Sequence, residues 1–204
     1  QEVKSLCSKF DLVHVHVMFP AIAFAKELAS EMNIPIVVTE HATAYHDHHP
    51  VTYNLWQRLF LKRYGRNVKR YFPVSKDLQK SMMKKGIRGD YQVIPNVVNT
   101  DLFLPAVKGT KSDTFHFIHI SSLKDEHKNV SGLLSVFAEV ASEHPQARLT
   151  IIGNDHHEQI QRYIHLLKMV NQVDLLKEIP IEEVAHHLQQ SHALLLFSNY
   201  ENAP

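Results

Sequence analysis

The sequence predicts an α/β protein with two parallel-sheet domains, and two observations indicate this class. Short apolar runs alternate with longer amphipathic stretches along the 204 residues, as strands and helices do in parallel sheets. Near the middle, the segment 92–105 (QVIPNVVNTDLFLP) contains two prolines, two asparagines and an aspartate, so it cannot continue as a strand or a helix. The alternation restarts beyond it. We therefore predict one domain over residues 1–106, a second over residues 107–204, and a ligand cleft between them.

The first domain opens with a strand, a helix and a second strand. The segment 11–17 (DLVHVHV) alternates strictly, which places its valines on one face of a strand and His14 and His16 on the other. A helix opened by a proline follows, and residues 34–39 form the second strand. A right-handed crossover makes the two strands parallel. The loop 40–50 (EHATAYHDHHP) therefore leaves the carboxyl end of a strand, where open α/β sheets bind ligands.

The remaining elements are predicted from the same periodicities and from turn residues. In the first domain they are a helix over 52–66, a strand over 71–74, a helix over 76–85 that Ser75 caps and Gly86 stops, and a strand over 91–94. In the second domain they are strands over 115–120, 148–152 and 193–197, a helix after residue 129, a helix from residue 154 to about residue 170, and a helix over 182–190.

Composition narrows the class of protein further. Hydrophobic residues make up 44% of the chain, enough for a sizeable core, and no apolar run approaches the roughly 18 residues that span a bilayer, so we expect a soluble protein. The net charge of +1 argues against a nucleic-acid partner. The single cysteine, Cys7, cannot form an internal disulfide, which suits a cytoplasmic location. Because the chain starts at Gln1 without a methionine, we interpret it as an internal fragment of a longer protein.

The segment 92–105 also carries residues of a known linker. It contains Pro95 and Asn96, followed by Asp101, Phe103 and Pro105. Together they resemble the P-N-G-V-D-x-x-x-F-x-P linker of the family 4 glycosyltransferases, which are retaining enzymes of the GT-B fold. Val97 stands where the linker has a glycine, and Asn99 stands where it has an aspartate. The resemblance extends in order from DLVHVH to YENAP, and it implies two Rossmann-like domains that face a cleft, both incomplete in this chain.

The resemblance implies a retaining glycosyltransferase. Such an enzyme moves a hexosyl group from a nucleotide diphosphate sugar, of the UDP or GDP type, to a hydroxyl acceptor, without a metal or another cofactor. The protein then acts by positioning and by stabilising an oxocarbenium-like centre and a departing diphosphate. We expect it to serve synthesis of a bacterial surface polysaccharide or glycolipid, in the cytoplasm or at the inner face of the plasma membrane, with a sugar or lipid-linked sugar as acceptor.

Two residues match catalytic positions of the family. Glu201, in the loop FSNYEN after the last strand, matches the first glutamate of an E-x7-E motif, which lies near the transferred sugar; the second glutamate would lie beyond Pro204. His41, in TEH, resembles the first-domain histidine directed at the transferred sugar or the acceptor, and a neutral imidazole can donate to a sugar hydroxyl. His14 and His16 are expected at the same cleft mouth, on the acceptor side. The alternative for Glu201 is a solvated loop acid.

Six positions are predicted to bind the donor: Ser121, Ser122, Lys128, Gly153, Asn154 and Asn202. The loop SSLKDEHKN leads into a helix start, whose free N–H groups and dipole favour a phosphate. Lys128 matches the lysine of the family motif G-R-L-x-x-x-K-G in a loop that is one residue longer, whereas Ser122 stands in place of its arginine and Lys124 is the candidate substitute. Gly153-Asn154 follows a strand as the family's I-x-G-x-G does, where close backbone approach needs a small residue. The alternatives are a solvated lysine and a turn glycine.

The histidines of the first-domain loop offer a metal alternative. They are His41, His46, His48 and His49. Imidazole is a common zinc ligand, but no cysteine lies nearby and the spacing fits no closed zinc pattern. We therefore predict no metal site.

A basic segment follows that loop. Between Asp47 and Asp77 the chain has no acidic residue and seven lysines and arginines. The part from Arg58 to Arg70 is either a solvated face or a peripheral contact with an anionic membrane. An enzyme with a lipid-linked acceptor would need such a membrane contact.

Two other functions fit the same architecture, because a fold does not determine a reaction. One is a nucleotide-sugar epimerase, but the ENAP loop and the PN linker favour a transferase. The other is a non-catalytic module that binds a sugar nucleotide, and Ser122 in place of the arginine keeps it open.

Overall fold

The computed structural model describes residues 10–47, 52–105 and 114–201. The chain divides into two compact units, one of residues 1–97 together with 201–204 and one of residues 98–200. Each unit contains one parallel sheet with helices packed on it, which confirms the predicted α/β class. The predicted domain boundary between residues 106 and 107 lies outside the described residues.

The first unit is built on the sheet order β1-β2-β3, with parallel pairs throughout. Its elements are β1 (Val13–His16), α1 (Ile22–Met32), β2 (Ile36–Glu40), a 3-10 turn (Thr43–Tyr45), α2 (Leu55–Gly65), β3 (Val68–Pro73) and α3 (Lys76–Lys84). His16 pairs with Thr39 in the register of β1 and β2. The carboxyl ends of these two strands therefore lie side by side.

The strand predicted over 91–94 is reduced to one bridge between Tyr71 and Tyr91. Tyr71 both donates and accepts a backbone hydrogen bond at this bridge, at 2.8 and 2.9 Å. Two residues further on, Pro73 accepts from the Ile94 N–H at 3.1 Å but has no N–H to donate in return. The ladder therefore ends there.

Capping side chains set the helix ends of the first unit. Ser75 Oγ accepts from the Leu78 N–H at 3.1 Å, and Gly86 adopts a left-handed φ of 84° just beyond α3, which confirms the predicted cap and stop. Helix α2 begins later than predicted because Asn54 and Gln57 form a reciprocal capping box, with two hydrogen bonds of 2.9 Å.

The second unit has the sheet order β6-β5-β4-β7, again all parallel. Its elements are β4 (His116–Ile120), α4 (Asp125–Lys128), α5 (Val130–Glu143), β5 (Arg148–Ile152), α6 (His157–Leu166), β6 (Val173–Leu176), α7 (Ile181–Gln190) and β7 (Ala193–Leu194). Strand β5 has its predicted bounds. Strand β6 was not predicted, since VDLL is short and carries a charged residue, and β7 is shorter than the predicted strand over 193–197.

Each unit has its own apolar core. In the first unit the core includes Val15, Ile22, Ala25, Ile36, Val38, Leu61, Leu78 and Met82. In the second it includes Leu134, Phe137, Leu149, Ile151, Ile160 and Ile164. Two polar side chains, Glu40 and His119, are buried as well. Among the described residues no helix is long and apolar enough to cross a membrane.

Candidate active site

Three histidines gather at the carboxyl ends of β1 and β2 in the first unit. His14 and His16 lie on the exposed face of β1, and His41 follows β2 directly. The ring centroids of His14 and His16 are 4.4 Å apart, and the rings of His16 and His41 stack at 5.8 Å with an interplanar angle of 16°. His14 Nε2 lies 2.8 Å from Thr39 Oγ1. The structure thus brings together the predicted acceptor-side histidines and His41.

These imidazoles are suited to hydrogen bonding with an uncharged ligand. Partial burial and the neighbouring His16 lower the pKa of His14, so His14 is neutral at pH 7. Neutral imidazole has one donor and one acceptor nitrogen, which matches a sugar hydroxyl. Among the described residues no group of three or more His, Cys, Asp or Glu could hold a metal ion. His46 contacts Ser81 Oγ at 2.9 Å, while residues 48 and 49 lie outside the described part of the chain.

Glu40, which was not singled out from the sequence, holds the loop that carries His41. Its side chain is fully buried, yet it accepts four hydrogen bonds. Oε1 accepts from the backbone N–H groups of His41 and Ala42 at 2.9 and 2.8 Å. Oε2 accepts from the Met18 N–H at 3.0 Å and the Tyr45 hydroxyl at 3.2 Å. Burial and the Glu40 charge raise the pKa of Tyr45 well above its usual value, so its hydroxyl remains a donor.

In the second unit, strand β4, which precedes the predicted donor loop, carries the buried His119. His119 Nδ1 lies 2.9 Å from the Leu195 carbonyl oxygen, and its Nε2 lies 2.8 Å from Ser121 Oγ. Since a carbonyl only accepts, Nδ1 carries the hydrogen and Nε2 accepts from the Ser121 hydroxyl. Ser121 Oγ also accepts from the Leu123 N–H at 3.1 Å. The Ser121 hydroxyl is therefore engaged inside the unit, and Ser122 beside it is half-buried.

Lys128 ends a short helix that was not predicted. Helix α4 ends at Lys128, Asn129 adopts a left-handed φ of 49°, and α5, the helix predicted after residue 129, begins at Val130. The short polar side chain of asparagine tolerates this conformation. Lys128 therefore stands two residues before the long helix, and its charge is close enough to His119 to contribute to lowering that histidine's pKa, after burial as the main cause.

One of the backbone N–H groups at the amino end of α5 already has a hydrogen-bond partner within the protein. The Asp125 carboxylate accepts from the Ser131 N–H at 2.7 Å and from the Ser131 hydroxyl at 2.6 Å. A carboxylate is favourable at a helix N-terminus. Asp125 thus takes up one N–H group that was predicted to face a phosphate, which leaves Lys128 and the other N–H groups as the predicted phosphate contacts.

The loop that leads to Glu201 is fastened to α4. The Asn199 N–H donates to the His127 carbonyl at 2.9 Å, and the Asn199 side chain donates to the Glu126 carbonyl at 2.9 Å. The ring of His127 stacks on Tyr200 with centroids 4.2 Å apart, and its Nε2 donates to the Tyr200 carbonyl at 3.0 Å. The predicted donor loop SSLKDEHKN and the residues Asn199 and Tyr200, which lead to Glu201, therefore meet in the second unit.

Glu201 follows Tyr200 directly and is half-buried, whereas residue 202, predicted to bind the donor, lies outside the described residues. The anchoring role of His127 was not predicted. A histidine between charged residues gives no local signal of a partner 73 residues away. That His41 and Lys128 line one cleft with Glu201 stays a prediction.

Gly153 is required by packing inside the second unit. It is buried directly after β5, and a Cβ there would collide with the Ser121 carbonyl oxygen and the Leu123 side chain. The glycine therefore allows the loops after β4 and β5 to approach each other, and its predicted approach to a donor stays a prediction. His157 Nε2 donates to the Gly153 carbonyl at 2.7 Å and closes the turn.

Asn154 borders an open depression at the carboxyl ends of β5 and β6. The depression has a volume of about 970 Å³, and its lining also includes His156, His157, Arg162, Lys177 and Glu178. None of these additional residues was predicted, and Lys177 and Glu178 were missed because β6, which they follow, was not recognised. A volume of this order accommodates a ligand of nucleotide size.

The buried His119 makes the stability of the second unit sensitive to acid. Burial lowers its folded-state pKa from 6.5, so the unfolded state binds the proton more tightly. The free energy of unfolding should then fall as pH drops through 6.5 toward the lowered pKa. We expect urea unfolding, followed by hydrogen exchange in β4 and β5, to show this loss in the parent chain and a smaller loss in His119→Gln. An equal loss in both proteins would exclude His119 as its source.

Each unit is a parallel α/β sheet with polar or cationic side chains near the carboxyl ends of its strands, an architecture typical of the GT-B fold. Comparison with known proteins identifies the family. Residues 1–102 match the family described as Glycosyltransferase Family 4, and residues 103–204 match the family described as Glycosyl transferases group 1. The chain belongs to these glycosyltransferases, which confirms the resemblance found in the linker and flanking motifs.

Individual relatives agree with this assignment. The chain is 24% identical over 217 residues to alpha-monoglucosyldiacylglycerol synthase of Acholeplasma laidlawii, covering 95% of this chain and 54% of that protein. Sucrose-phosphate synthase from Thermosynechococcus elongatus has a TM-score of 0.77 at 15% identity, over 99% of this chain and 54% of that one. A mutant of S. aureus TarM, in complex with fondaparinux, alpha-GlcNAc-glycerol and UDP, has a TM-score of 0.71 at 14% identity, over 88% and 36%. The chain spans about half the length of the curated relative it matches.

Proposed function

We propose that the chain forms part of a retaining glycosyltransferase that moves a hexosyl group from a nucleotide diphosphate sugar to a hydroxyl acceptor. One observation carries the proposal: His127 and Asn199 attach the loop that leads to Glu201 to the helix that ends at Lys128. Glu201, predicted to contact the sugar, and Lys128, predicted to contact the phosphates, therefore adjoin two segments that are held together by one set of contacts. Both belong to the region that matches the group 1 family.

The donor is held in this proposal by the second unit. Lys128 and the remaining N–H groups at the start of α5 face the diphosphate, while Asn154 and the adjoining depression accept the nucleoside. Glu201 accepts hydrogen bonds from the transferred sugar as positive charge develops at its anomeric carbon. The bond from that carbon to the diphosphate breaks, the acceptor oxygen bonds on the same face, and the departing phosphate oxygen takes the acceptor proton.

The acceptor is assigned to the first unit. The adjacent rings of His14, His16 and His41 offer their ring nitrogens as hydrogen-bond partners to sugar hydroxyls. The basic segment from Arg58 to Arg70 supports a peripheral contact with an anionic membrane and hence a lipid-borne acceptor. The name of the Acholeplasma relative, a diacylglycerol glycolipid synthase, agrees with synthesis of a glycolipid or surface polysaccharide at the inner face of the membrane.

Product analysis tests the proposed reaction. The whole protein, incubated with UDP- and GDP-hexoses and a lipid extract, should release the nucleoside diphosphate and form a glycoside with the anomeric configuration of the donor. An inverted product would overturn the retaining mechanism. An unattached epimerised sugar as the main product would favour an epimerase instead.

A non-catalytic sugar-nucleotide module remains the second candidate, because Ser122 occupies the position of the family's arginine. An arginine offers bidentate hydrogen bonds to a phosphate that a serine cannot replace. Donor binding measured by calorimetry, without hydrolysis or transfer under any acceptor condition, would support this second function.

The proposed reaction should not depend on a metal ion. The charge of the leaving diphosphate is assigned to Lys128 and to helix N–H groups, so no carboxylate-bound cation is needed. Treatment of the whole protein with EDTA, followed by removal of the chelator, should leave the initial rate of transfer within about twofold. Complete loss of activity that Mn²⁺ or Zn²⁺ restores would contradict metal independence. It would favour the alternative in which histidines of the first unit bind a metal ion.

A further inference from the structure

A cationic pocket lies at the carboxyl-terminal end of α2 in the first unit. Its volume is about 500 Å³, and it is lined by Lys62, Arg66, Gly86 and Arg88. None of its lining residues is acidic. Within the part of the chain that the structure describes, none of the three basic side chains forms an ion pair. The pocket therefore concentrates three positive charges that the protein leaves uncompensated.

Gly86 shapes this pocket. It adopts a left-handed φ of 84°, and a Cβ on it would come within 2.6 Å of Lys62 Cε and 2.9 Å of Lys62 Nζ. The ammonium group of the half-buried Lys62 therefore lies directly over the glycine backbone. Because the lysine stem is packed there before any ligand arrives, less side-chain entropy is lost on binding.

The dipole of α2 opposes an anion at this end. The last carbonyl groups of a helix carry partial negative charge, so the attraction must come from the side chains of Lys62, Arg66 and Arg88. Without an anion these three cations repel one another. A phosphate group, with several acceptor oxygens and negative charge, relieves that repulsion and suits the planar guanidinium donors.

Exposed apolar side chains adjoin the pocket along α2. Leu55, Leu59, Lys62 and Arg66 are spaced four, three and four residues apart, which aligns them on one side of the helix. Leu55 is 66% exposed and Leu59 is 49% exposed, and the neighbouring Trp56 is 79% exposed. Exposed tryptophan and leucine side chains that occur together with lysines and arginines on one helix are typical of helices that bind at a membrane interface.

We propose that this pocket binds the phosphate of an anionic phospholipid headgroup while Leu55, Trp56 and Leu59 enter the lipid interface. The inference rests on the proposed function in that a lipid-borne acceptor requires the enzyme at a membrane. It also restricts the membrane contact to part of the basic segment from Arg58 to Arg70. Arg70 itself is compensated, because its guanidinium lies 2.7 Å from the Asp90 carboxylate. A second copy of the chain is a poorer occupant, because a two-fold contact across this face would bring like charges together.

Vesicle binding by the 204-residue chain tests the proposal without requiring turnover. The vesicles contain phosphatidylcholine alone or with about 30% phosphatidylglycerol. The single tryptophan, Trp56, should shift its emission to shorter wavelength on the anionic vesicles only. Joint replacement Lys62→Gln, Arg66→Gln and Arg88→Gln should weaken binding on the order of 100-fold, because each basic group near such a surface contributes about fivefold.

The matched control replaces three exposed lysines of α3, outside the basic segment, by Lys76→Gln, Lys80→Gln and Lys84→Gln, with the same change in net charge. It should weaken binding by less than about tenfold. Equal weakening in both triple variants, unchanged binding in the pocket variant, or tighter binding of inorganic phosphate or duplex DNA than of vesicles would overturn the proposal. No binding of the 204-residue chain to anionic vesicles, with donor turnover by the whole protein, would refute only the membrane site. Vesicle binding by the chain, without turnover by the whole protein, would refute only the proposed reaction.

Discussion

Replacing Glu201 by glutamine in the whole protein is expected to lower kcat by about 30-fold to 1,000-fold while the melting temperature stays unchanged. A charged hydrogen bond that forms mainly in the transition state contributes roughly 2 to 4 kcal/mol, which corresponds to this range. Glu201 is a half-buried loop residue outside both cores, and such positions contribute little to folding. The loop itself remains anchored, because the contacts of Asn199 and Tyr200 to α4 do not involve the carboxylate.

Glu183→Gln is the matched control, since Glu183 is exposed on α7. It should leave both kcat and melting temperature within error. The two properties of Glu201→Gln must be measured together. An unchanged kcat would show a solvated loop acid, and a parallel loss of stability would show a structural residue.

The elements predicted correctly are those whose signal is local. The alternation of residues 11–17 placed His14 and His16 on the exposed face of β1, because the side chains of a strand alternate between its faces. The capping hydroxyl of Ser75 and the glycine at position 86 marked the ends of α3 for equally local reasons. The parallel pairing of β1 with β2 followed from the handedness of the crossover.

The elements missed depend on contacts distant in sequence. No pattern near His127 indicates that its ring stacks on Tyr200, and nothing local shows that Pro73, by lacking an N–H, ends the pairing with residues 91–94. Glu40 could have been found. The alternation of IVVTE puts it on the same face as Ile36 and Val38, a pattern that indicates a buried acid, and a buried acid needs hydrogen-bond donors.

Replacing Glu40 by alanine is expected to destabilise the first unit by about 3 to 5 kcal/mol. The change leaves the N–H groups of Met18, His41 and Ala42 without their acceptor, and each buried orphan costs about 1 to 3 kcal/mol. Tyr45→Phe removes only one of the four hydrogen bonds and should cost about 1 kcal/mol. Glu27→Ala, at an exposed position of α1, should change stability by less than about 0.5 kcal/mol.

Hydrogen exchange in the 204-residue chain separates this effect from a general loss of stability. Amides of β1 and β2 should lose protection in Glu40→Ala, whereas those of β4 and β5 should not, because each unit has its own core. The amide of His41 should exchange faster in Glu40→Ala than in Tyr45→Phe, since only the first variant removes its acceptor. If Glu40→Ala is no less stable than Tyr45→Phe, the buried carboxylate does not hold the loop, and the position of His41 must be set by the strand ends alone.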